Sequence, residues 1–436
     1  MAQIDTIVAL SSGSLPSGVA IIRISGSRVR DIANKLINGL PQARTLTLRY
    51  IKHEQKIIDQ ALVAHFAAPY SFTGYDCLEF HVHGSKAVVQ KLLDILLSFE
   101  NVRLAEAGEF TRQAFENGKI DLVKAEGLAD LLDSETENQR VQALARAGGE
   151  ISNKIELWRQ QLLSLRASLE AYLDFSDEED VLEILPKSFI DELQQLSEDF
   201  AQAMKNFEQG RIIRDGFRVA IAGPVNAGKS SLINRLVKSD LAIVSEEAGT
   251  TRDIREVEMD IDGNLVIFID MAGLRETSSI AEIEGIRRAR EEILQADVLL
   301  WLNPLDGENN PKAPDIAPTT ISIGTKSDLG KHKDDFTLNI SAKSGEGIEQ
   351  LIELIRQQIL LKTPISGDSI ILSRLRDKEA LSQALEEIEI AIANLSQPEI
   401  AASALLRAST NLARLLGKID PEHILGEIFS KLCIGK

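Results

Sequence analysis

Gly223-Pro224-Val225-Asn226-Ala227-Gly228-Lys229-Ser230 fits the pattern G-x-x-x-x-G-K-[ST] and follows the apolar run Phe217 to Ala222. A strand before such a loop and a helix after it, here Ser231 to Val237, form the setting in which the pattern holds phosphate. The glycines let backbone N–H groups converge on phosphate oxygens. Lys229 adds a point charge at the β- and γ-phosphates, and the Ser230 hydroxyl suits Mg²⁺. Asn226, Ala227, Gly228, Lys229, Ser230 and Ser231 are therefore the phosphate-side candidates, with Lys229 assigned a catalytic part. The stretch predicts an α/β P-loop domain.

Four further stretches follow in the order that a GTPase requires. Gly249-Thr250-Thr251-Arg252-Asp253 offers a threonine for Mg²⁺, with Ser245, Glu246, Glu247 and Ala248 just before it. Asp270-Met271-Ala272-Gly273 ends the apolar strand Leu265 to Ile269; Asp270 is placed to hold Mg²⁺, and the Gly273 N–H to meet the γ-phosphate. Thr325-Lys326-Ser327-Asp328 ends another strand, and the Asp328 carboxylate can accept from both the ring N–H and the exocyclic amine of guanine. Ser341-Ala342-Lys343 supplies backbone N–H groups for the guanine carbonyl. Adenine lacks the paired donors, so guanine is preferred.

Working outward, a chain of 436 residues exceeds one core and predicts two or three domains. Its 48 Lys and Arg against 66 Asp and Glu give −18, which argues against a generally basic nucleic-acid coat while leaving room for a local basic face. No apolar run reaches the length of a membrane span and no signal-type segment opens the chain, so the cytoplasm is the expected location. Cys77 and Cys433, the two cysteines, are too few for a disulfide framework or a thiolate metal site.

Up to residue 118, strand-like runs (Thr6 to Ala9, Gly18 to Ile24, Thr45 to Ile51, Gln60 to Phe66, Cys77 to Val82) alternate with helical ones (Arg28 to Ile37, Ser85 to Leu97), predicting an α+β domain. From Ile120 the period becomes helical. Its expected core stripes are Leu128, Leu131 and Leu132; Ile151, Ile155, Trp158, Leu162 and Leu165; and Leu193, Leu196, Phe200, Ala203 and Phe207. Helical spacing resumes at Leu375, Leu381, Leu385, Ile388 and Leu395. Ser176 with Glu179 resembles a capping box, and Asp420-Pro421 an N-cap with proline opening the last helix. The expected division is 1–118, a helical domain of 119–213 with 362–436, and an inserted nucleotide domain of 214–361.

Many small GTPases orient the attacking water with a glutamine after Asp-x-x-Gly, but Leu274 stands there. Hydrolysis must use another group, and Glu282 and Glu284 are the acidic candidates nearby. Charge stabilisation is the other missing piece, since an arginine finger contributes roughly 10³ to 10⁵ in rate. Asn226 admits two readings, an ordinary polar loop residue or a carbonyl that holds a monovalent cation beside the phosphates, with carbonyls of Ser245 to Thr250 completing the shell.

Asn226 in the loop, Gly249-Thr250-Thr251-Arg252-Asp253, Asp270-x-Ala272-Gly273-Leu274-Arg275, Phe72-Thr73-Gly74, Asn117-Gly118-Lys119 and terminal Cys433-Ile434-Gly435-Lys436 together resemble the MnmE (TrmE) family of tRNA-modification GTPases over the whole chain. The resemblance implies an α+β N-terminal domain like the folate-binding domains of aminomethyltransferases, an α-helical central domain and an inserted α/β P-loop GTPase domain. It implies a homodimer whose GTPase is activated when two G domains meet across K⁺. It also implies a partner, MnmG (GidA), in a heterotetramer or larger complex. Together they place an aminomethyl or carboxymethylaminomethyl group on C5 of the wobble uridine of certain tRNAs, from 5-formyl- or 5,10-methylene-tetrahydrofolate.

By the same resemblance Ser230, Thr251 and Asp270 hold Mg²⁺, Asn226, Ser245, Glu247 and Thr250 hold K⁺, and Glu282 orients water. Arg23, Glu79, Lys119 and Lys436 are implied for folate, where a carboxylate accepts paired N–H donors and cations meet the glutamate tail. Cys433 is a further candidate there. Thr325 departs from the family's asparagine, which contacts the base and ties its loop to the P-loop, so guanine selection should survive at reduced affinity. His81 and His83 share a strand face but lack a third metal ligand. A ribosome-assembly RNA-binding switch would share the G motifs, yet it requires a compact basic module that this acidic chain does not display; a scaffold that binds GTP without turnover sits poorly with Lys229, Ser230, Thr251 and Asp270.

Overall fold

Ala20, Ile22 and Ile24, then Ala61 and Val63, then Leu78, Phe80 and Val82 are buried at every second position along three neighbouring strands, so each strand turns one apolar face to the same side. The computed structural model describes the chain apart from residues 1–4, 175–186, 244–255, 272–290, 307–311, 315–318, 330–334, 364–371, 420–424, 427–428, 431, 433 and 436. Its contacts fall into two compact units, residues 1–132, 145–166 and 406–436, and residues 133–144 and 167–405.

In the first unit, β1 (Thr6–Leu10), β2 (Ser17–Ser25), β3 (Thr47–His53), β4 (Lys56–Phe66), β5 (Cys77–Gly84) and β6 (Val102–Leu104) form a sheet ordered β3-β4-β5-β2-β1-β6. All neighbours are antiparallel except β1 with β6. Helices Val29–Ile37 and Lys86–Leu97 cover the apolar face through Val29, Ile32, Leu36, Val89, Leu92 and Leu96. β3 is shifted two residues later than the expected Thr45 to Ile51 and β4 starts four residues before the expected Gln60, because the two are joined at Glu54-Gln55, both at positive φ (47° and 66°). That is the backbone of a two-residue hairpin turn, made here without the glycine or asparagine that normally announces it.

The helix Leu122–Leu132 differs from expectation. Leu128 and Leu131 are only half-buried and Leu132 is exposed; Leu122, Ala125 and Ala129 face the core instead, against Phe429 and Leu432. This face also carries Glu126, whose carboxylate accepts from Arg146 at 2.6 Å in a pair almost wholly removed from water. Partners more than 300 residues away decide which stripe is buried. The stripe Ile151, Ile155, Trp158, Leu162 and Leu165 is buried throughout.

In the second unit, β7 (Phe217–Ala222), β8 (Glu256–Ile261), β9 (Asn264–Asp270), β10 (Val298–Pro304), β11 (Thr320–Thr325) and β12 (Leu338–Ile340) are ordered β12-β11-β10-β7-β9-β8. All pairings are parallel except β8 with β9. Near-continuous apolar runs such as Val219-Ala220-Ile221 are buried on both faces, as a parallel sheet demands. One face packs on helices Lys229–Leu236 and Ile348–Lys362, and the other on Ile293 and Ala296. Helix Lys187–Lys205 buries Leu193, Leu196, Phe200 and Ala203 against helix Leu375–Ala393, which buries Leu381 and Ile388 and leaves Leu375 exposed. The capping-box residues Ser176 and Glu179, and Asp420-Pro421, lie outside the described residues. No helix among the described residues is long and apolar enough to cross a membrane.

Candidate functional site

β7 has β9 on one side and β10 on the other, so the chain leaves its carboxyl end where the strand order reverses, the point at which open parallel sheets bind ligands. The turn out of β7 is tight. Gly223 has φ +154°, and a Cβ there would lie 2.5 Å from the Leu302 carbonyl oxygen, so a side chain is excluded. Asn226 stands exposed at φ +61°, a left-handed conformation that asparagine tolerates better than most residues. Gly228, at φ +92°, caps the helix Lys229–Leu236, whose N-terminal end opens on the loop.

The Lys229 ammonium donates to the carbonyls of Gly223 and Pro224, each at 2.9 Å, which holds the charge over the cradle. The Ser230 hydroxyl lies 3.3 Å from Asp270 Oδ2, with Asp270 buried at the end of β9. A hydroxyl and a carboxylate held this close are hard oxygen donors, the set that Mg²⁺ takes alongside substrate phosphates. Met271 is buried and follows Asp270 without touching this donor pair in any described bond.

Thr325 changes what the sequence implies. Its hydroxyl, buried at the end of β11, donates to the Ala227 carbonyl at 2.6 Å, so the tie between the base loop and the phosphate loop is present without asparagine. The next residue, Lys326, has φ +60° and pairs with Asp306 at 2.9 Å. Asp328 Oδ1 accepts from the Ser341 hydroxyl at 2.7 Å, which fixes the carboxylate that would face a base. Ser341 itself is fully buried, its N–H on the Glu346 carbonyl and its hydroxyl also accepting from the Ser344 N–H; Ala342 and the exposed Lys343 follow it. Ser327 donates to the Glu346 carboxylate at 2.8 Å and closes this second loop pair. The sequence pointed to backbone N–H groups of Ser341-Ala342-Lys343 for the guanine carbonyl; the Ser341 N–H is taken by Glu346, which leaves that expectation to Ala342 and Lys343, and the hydroxyl that orients Asp328 is an addition.

The structure thus brings Asn226, Ala227, Gly228, Lys229, Ser230, Asp270, Thr325 and Asp328 to one end of one sheet. Ser231, on the same helix, is exposed. Ser245, Glu246, Glu247, Ala248, Gly249, Thr250, Thr251, Ala272, Gly273, Leu274, Glu282 and Glu284 lie outside the described residues.

A second site lies in the first unit, on the face of the β2–β5 sheet opposite its helices. Arg23 and Glu79 are directly opposite across β2 and β5, and Arg23 Nε donates to Glu79 Oε1 at 2.9 Å. Arg23 also donates to the Gly435 carbonyl at 3.3 Å, as does Ser11 at 2.9 Å, and Ala107 bridges Ile434. The tail is thereby drawn to the pair. Gly435, at φ +100°, has no room for a Cβ, which would lie 2.3 Å from the Leu10 carbonyl oxygen. Beside the pair is a cavity of about 370 Å³, walled by Arg23, Glu79, Cys77 and Thr111 and by the rings of Phe66 and Phe72.

Apolar walls with one carboxylate and one guanidinium suit a flat heterocycle rich in N–H groups. Lys119 is exposed, its N–H on the Ala114 carbonyl, and does not belong to those wall residues; Lys436 and Cys433 are outside the described residues. His81 is 3.4 Å from Glu79, and His83 is 2.7 Å from Asp59, so each histidine has a carboxylate partner. No cluster of metal ligands occurs among the described residues.

Two family models match the chain, one described as the GTP-binding protein TrmE N-terminus over residues 6–119, the other as the MnmE helical domain over residues 122–433. Relatives include a protein of Rhizobium etli (strain CIAT 652) named tRNA modification GTPase MnmE, 44% identical over 99% of both chains. A protein of the same name from Brucella melitensis biotype 1 is 44% identical over 99% of this chain and 98% of its own. Among solved structures, the FeoB G-domain from Methanococcus jannaschii is 20% identical over 33% of this chain and 97% of its own, with a TM-score of 0.25. The G domain of the T. maritima FeoB iron transporter is 24% identical over the same shares, with a TM-score of 0.23.

Proposed function

The chain belongs to the MnmE (TrmE) family, and on that premise we propose that it hydrolyses GTP to GDP and phosphate in the service of tRNA modification. The observation that carries the proposal is the convergence of Lys229, Ser230 and Asp270 with Asp328 at one end of the sheet, joined through the bond from Thr325 to Ala227. Lys229 exchanges its loop carbonyls for phosphate oxygens, and Asp328 accepts from the two guanine donors that adenine lacks. Ser230 and Asp270, with Thr251, would hold Mg²⁺, which neutralises charge on the β- and γ-phosphates. Asn226, with Ser245, Glu247 and Thr250, would hold K⁺, which supplies the positive charge of an arginine finger. Glu282 takes the water-orienting part that Leu274 cannot fill.

The same proposal includes a homodimer. It is supported by the sheet face opposite the helices of the first unit, where Leu48, Tyr50 and Leu62 are 55%, 50% and 42% exposed on adjoining strands. An apolar strip of this kind favours a partner surface. The proposal further includes MnmG and tRNA as partners, tetrahydrofolate at the cavity beside Arg23 and Glu79, a cytoplasmic location, and the division into 1–118, 119–213 with 362–436, and 214–361.

The test is phosphate release from GTP and from ATP with Mg²⁺, followed by mass spectrometry of wobble uridine in tRNA incubated with the chain, MnmG and a tetrahydrofolate donor. GTP-selective release and a C5 adduct are expected. Release without any adduct, with MnmG shown to be active with another family member, overturns the tRNA part; no release from GTP overturns the whole.

A further inference from the structure

Thr111 stands in the first turn of helix Glu109–Glu116 and walls the cavity beside Arg23 and Glu79. It is fully buried, and its hydroxyl has no hydrogen-bond partner among the described residues. The other polar groups of the wall are engaged. Arg23 donates to Glu79 and to the Gly435 carbonyl, the second Glu79 oxygen meets His81, and Cys77 Sγ lies 3.1 Å from Thr73 Oγ1. Thr73 in turn bonds Ser25, which donates to Gln113 at 2.8 Å, so that chain of hydroxyls closes within the protein. Thr111 is left out of it.

A buried hydroxyl without a partner costs about 1–3 kcal/mol, and valine would fill the same volume without that cost. Threonines in helices usually discharge the hydroxyl onto a carbonyl one turn back, but this one does not. Thr111 belongs to the cavity wall, and threonine in a helix has two open χ1 positions for its hydroxyl. The remaining demand is for a ligand that brings a polar atom to this wall.

We propose that Thr111 is a ligand-contacting residue of the cavity, its hydroxyl donating to an acceptor on the ring system of a flat, N–H-rich heterocycle whose donors meet Glu79. The residue sets specificity because a ring that presents a C–H or a methyl at that position leaves the hydroxyl unpaired, whereas a ring carbonyl or ring nitrogen satisfies it. This rests on the folate reading of the cavity given above and adds to it a residue that the folate candidates did not include.

The experiment is calorimetric titration of 5-formyl-tetrahydrofolate into the full chain, the parent against Thr111→Val and Thr111→Ser. Valine keeps the volume and removes the donor; serine keeps the donor. About tenfold weaker binding is expected for Thr111→Val and near-parental binding for Thr111→Ser. Without ligand, Thr111→Val should melt at or above the parental temperature, which separates a lost contact from a damaged fold. Parental affinity in Thr111→Val overturns the assignment of Thr111 while leaving the folate reading standing. Absence of binding by the parent chain overturns the folate reading, and this inference with it.

Discussion

The Thr325 hydroxyl donates to the Ala227 carbonyl at 2.6 Å, linking the end of β11 to the phosphate loop across 98 residues of sequence. The bond is buried, so it is shielded from competing water. Thr325→Val retains the shape and leaves the Ala227 carbonyl unpaired. A neutral buried hydrogen bond contributes about 1 kcal/mol, so GTP and GDP affinity should fall about fivefold, read by fluorescent-nucleotide titration. Thr325→Asn should instead raise affinity for both nucleotides, because the longer amide adds a reach towards the base.

Asp328 is oriented by Ser341 at 2.7 Å, which occupies one lone pair of Oδ1 and leaves Oδ2 and the other lone pair of Oδ1 for the two guanine donors. Asp328→Asn replaces an acceptor with a donor opposite the exocyclic amine of guanine. GTP affinity should drop by about 10²-fold, the loss of paired charge-assisted bonds. Xanthosine triphosphate, with a carbonyl where guanine has the amine, should bind this variant better than GTP does.

These two residues also mark how far the sequence could be read. The phosphate loop, Asp270 and Asp328 were legible because their spacing and the strands before them are local. The role of Thr325 was not, because its partner Ala227 lies on another strand connection, and only the fold shows that a hydroxyl reaches where an amide was expected. The helix Leu122–Leu132 misled for the same reason: its period offered two apolar stripes, and the choice fell to Phe429 and Leu432 at the other end of the chain. The hairpin at Glu54-Gln55 escaped because neither residue is a usual turn former. Arg23 and Glu79 rested on resemblance alone, while their cross-strand pairing and the docking of Gly435 beside them are properties of the sheet.

Asp297, just before β10, is nearly buried and gathers donors from three separate elements. It accepts from Arg211 at 2.6 Å, from the Arg218 N–H at 2.9 Å and from Lys362 at 3.4 Å. Arg211 ends up with its proton held more tightly than usual; burial alone opposes this, and Asp297 and Glu208 outweigh it. Asp297→Ala strands two cations and should cost about 2–3 kcal/mol, seen as a lower denaturant midpoint. Glu208→Ala removes only an exposed partner of Arg211 and should leave the midpoint within about 0.5 kcal/mol.

Glu258 on β8 has its carboxyl pushed above the ordinary value of 4.5, first by burial and then by Glu135, with Glu256 adding to it. The folded chain therefore holds this proton at a pH where the unfolded chain has released it. Stability should fall as pH rises from 4.5 through the raised value, and Glu258→Gln should flatten that decline. Urea midpoints measured at half-unit pH steps check the slope.

In the proposed function the exposed Asn226, at φ +61°, would form part of a monovalent-cation shell that assists GTP hydrolysis. GTP turnover should be compared in potassium and in sodium at matched ionic strength, for the parent chain and for Asn226→Ala. Strong potassium stimulation in the parent that disappears in the variant is the predicted result. Equal rates in the two salts, or stimulation that survives Asn226→Ala, would contradict it.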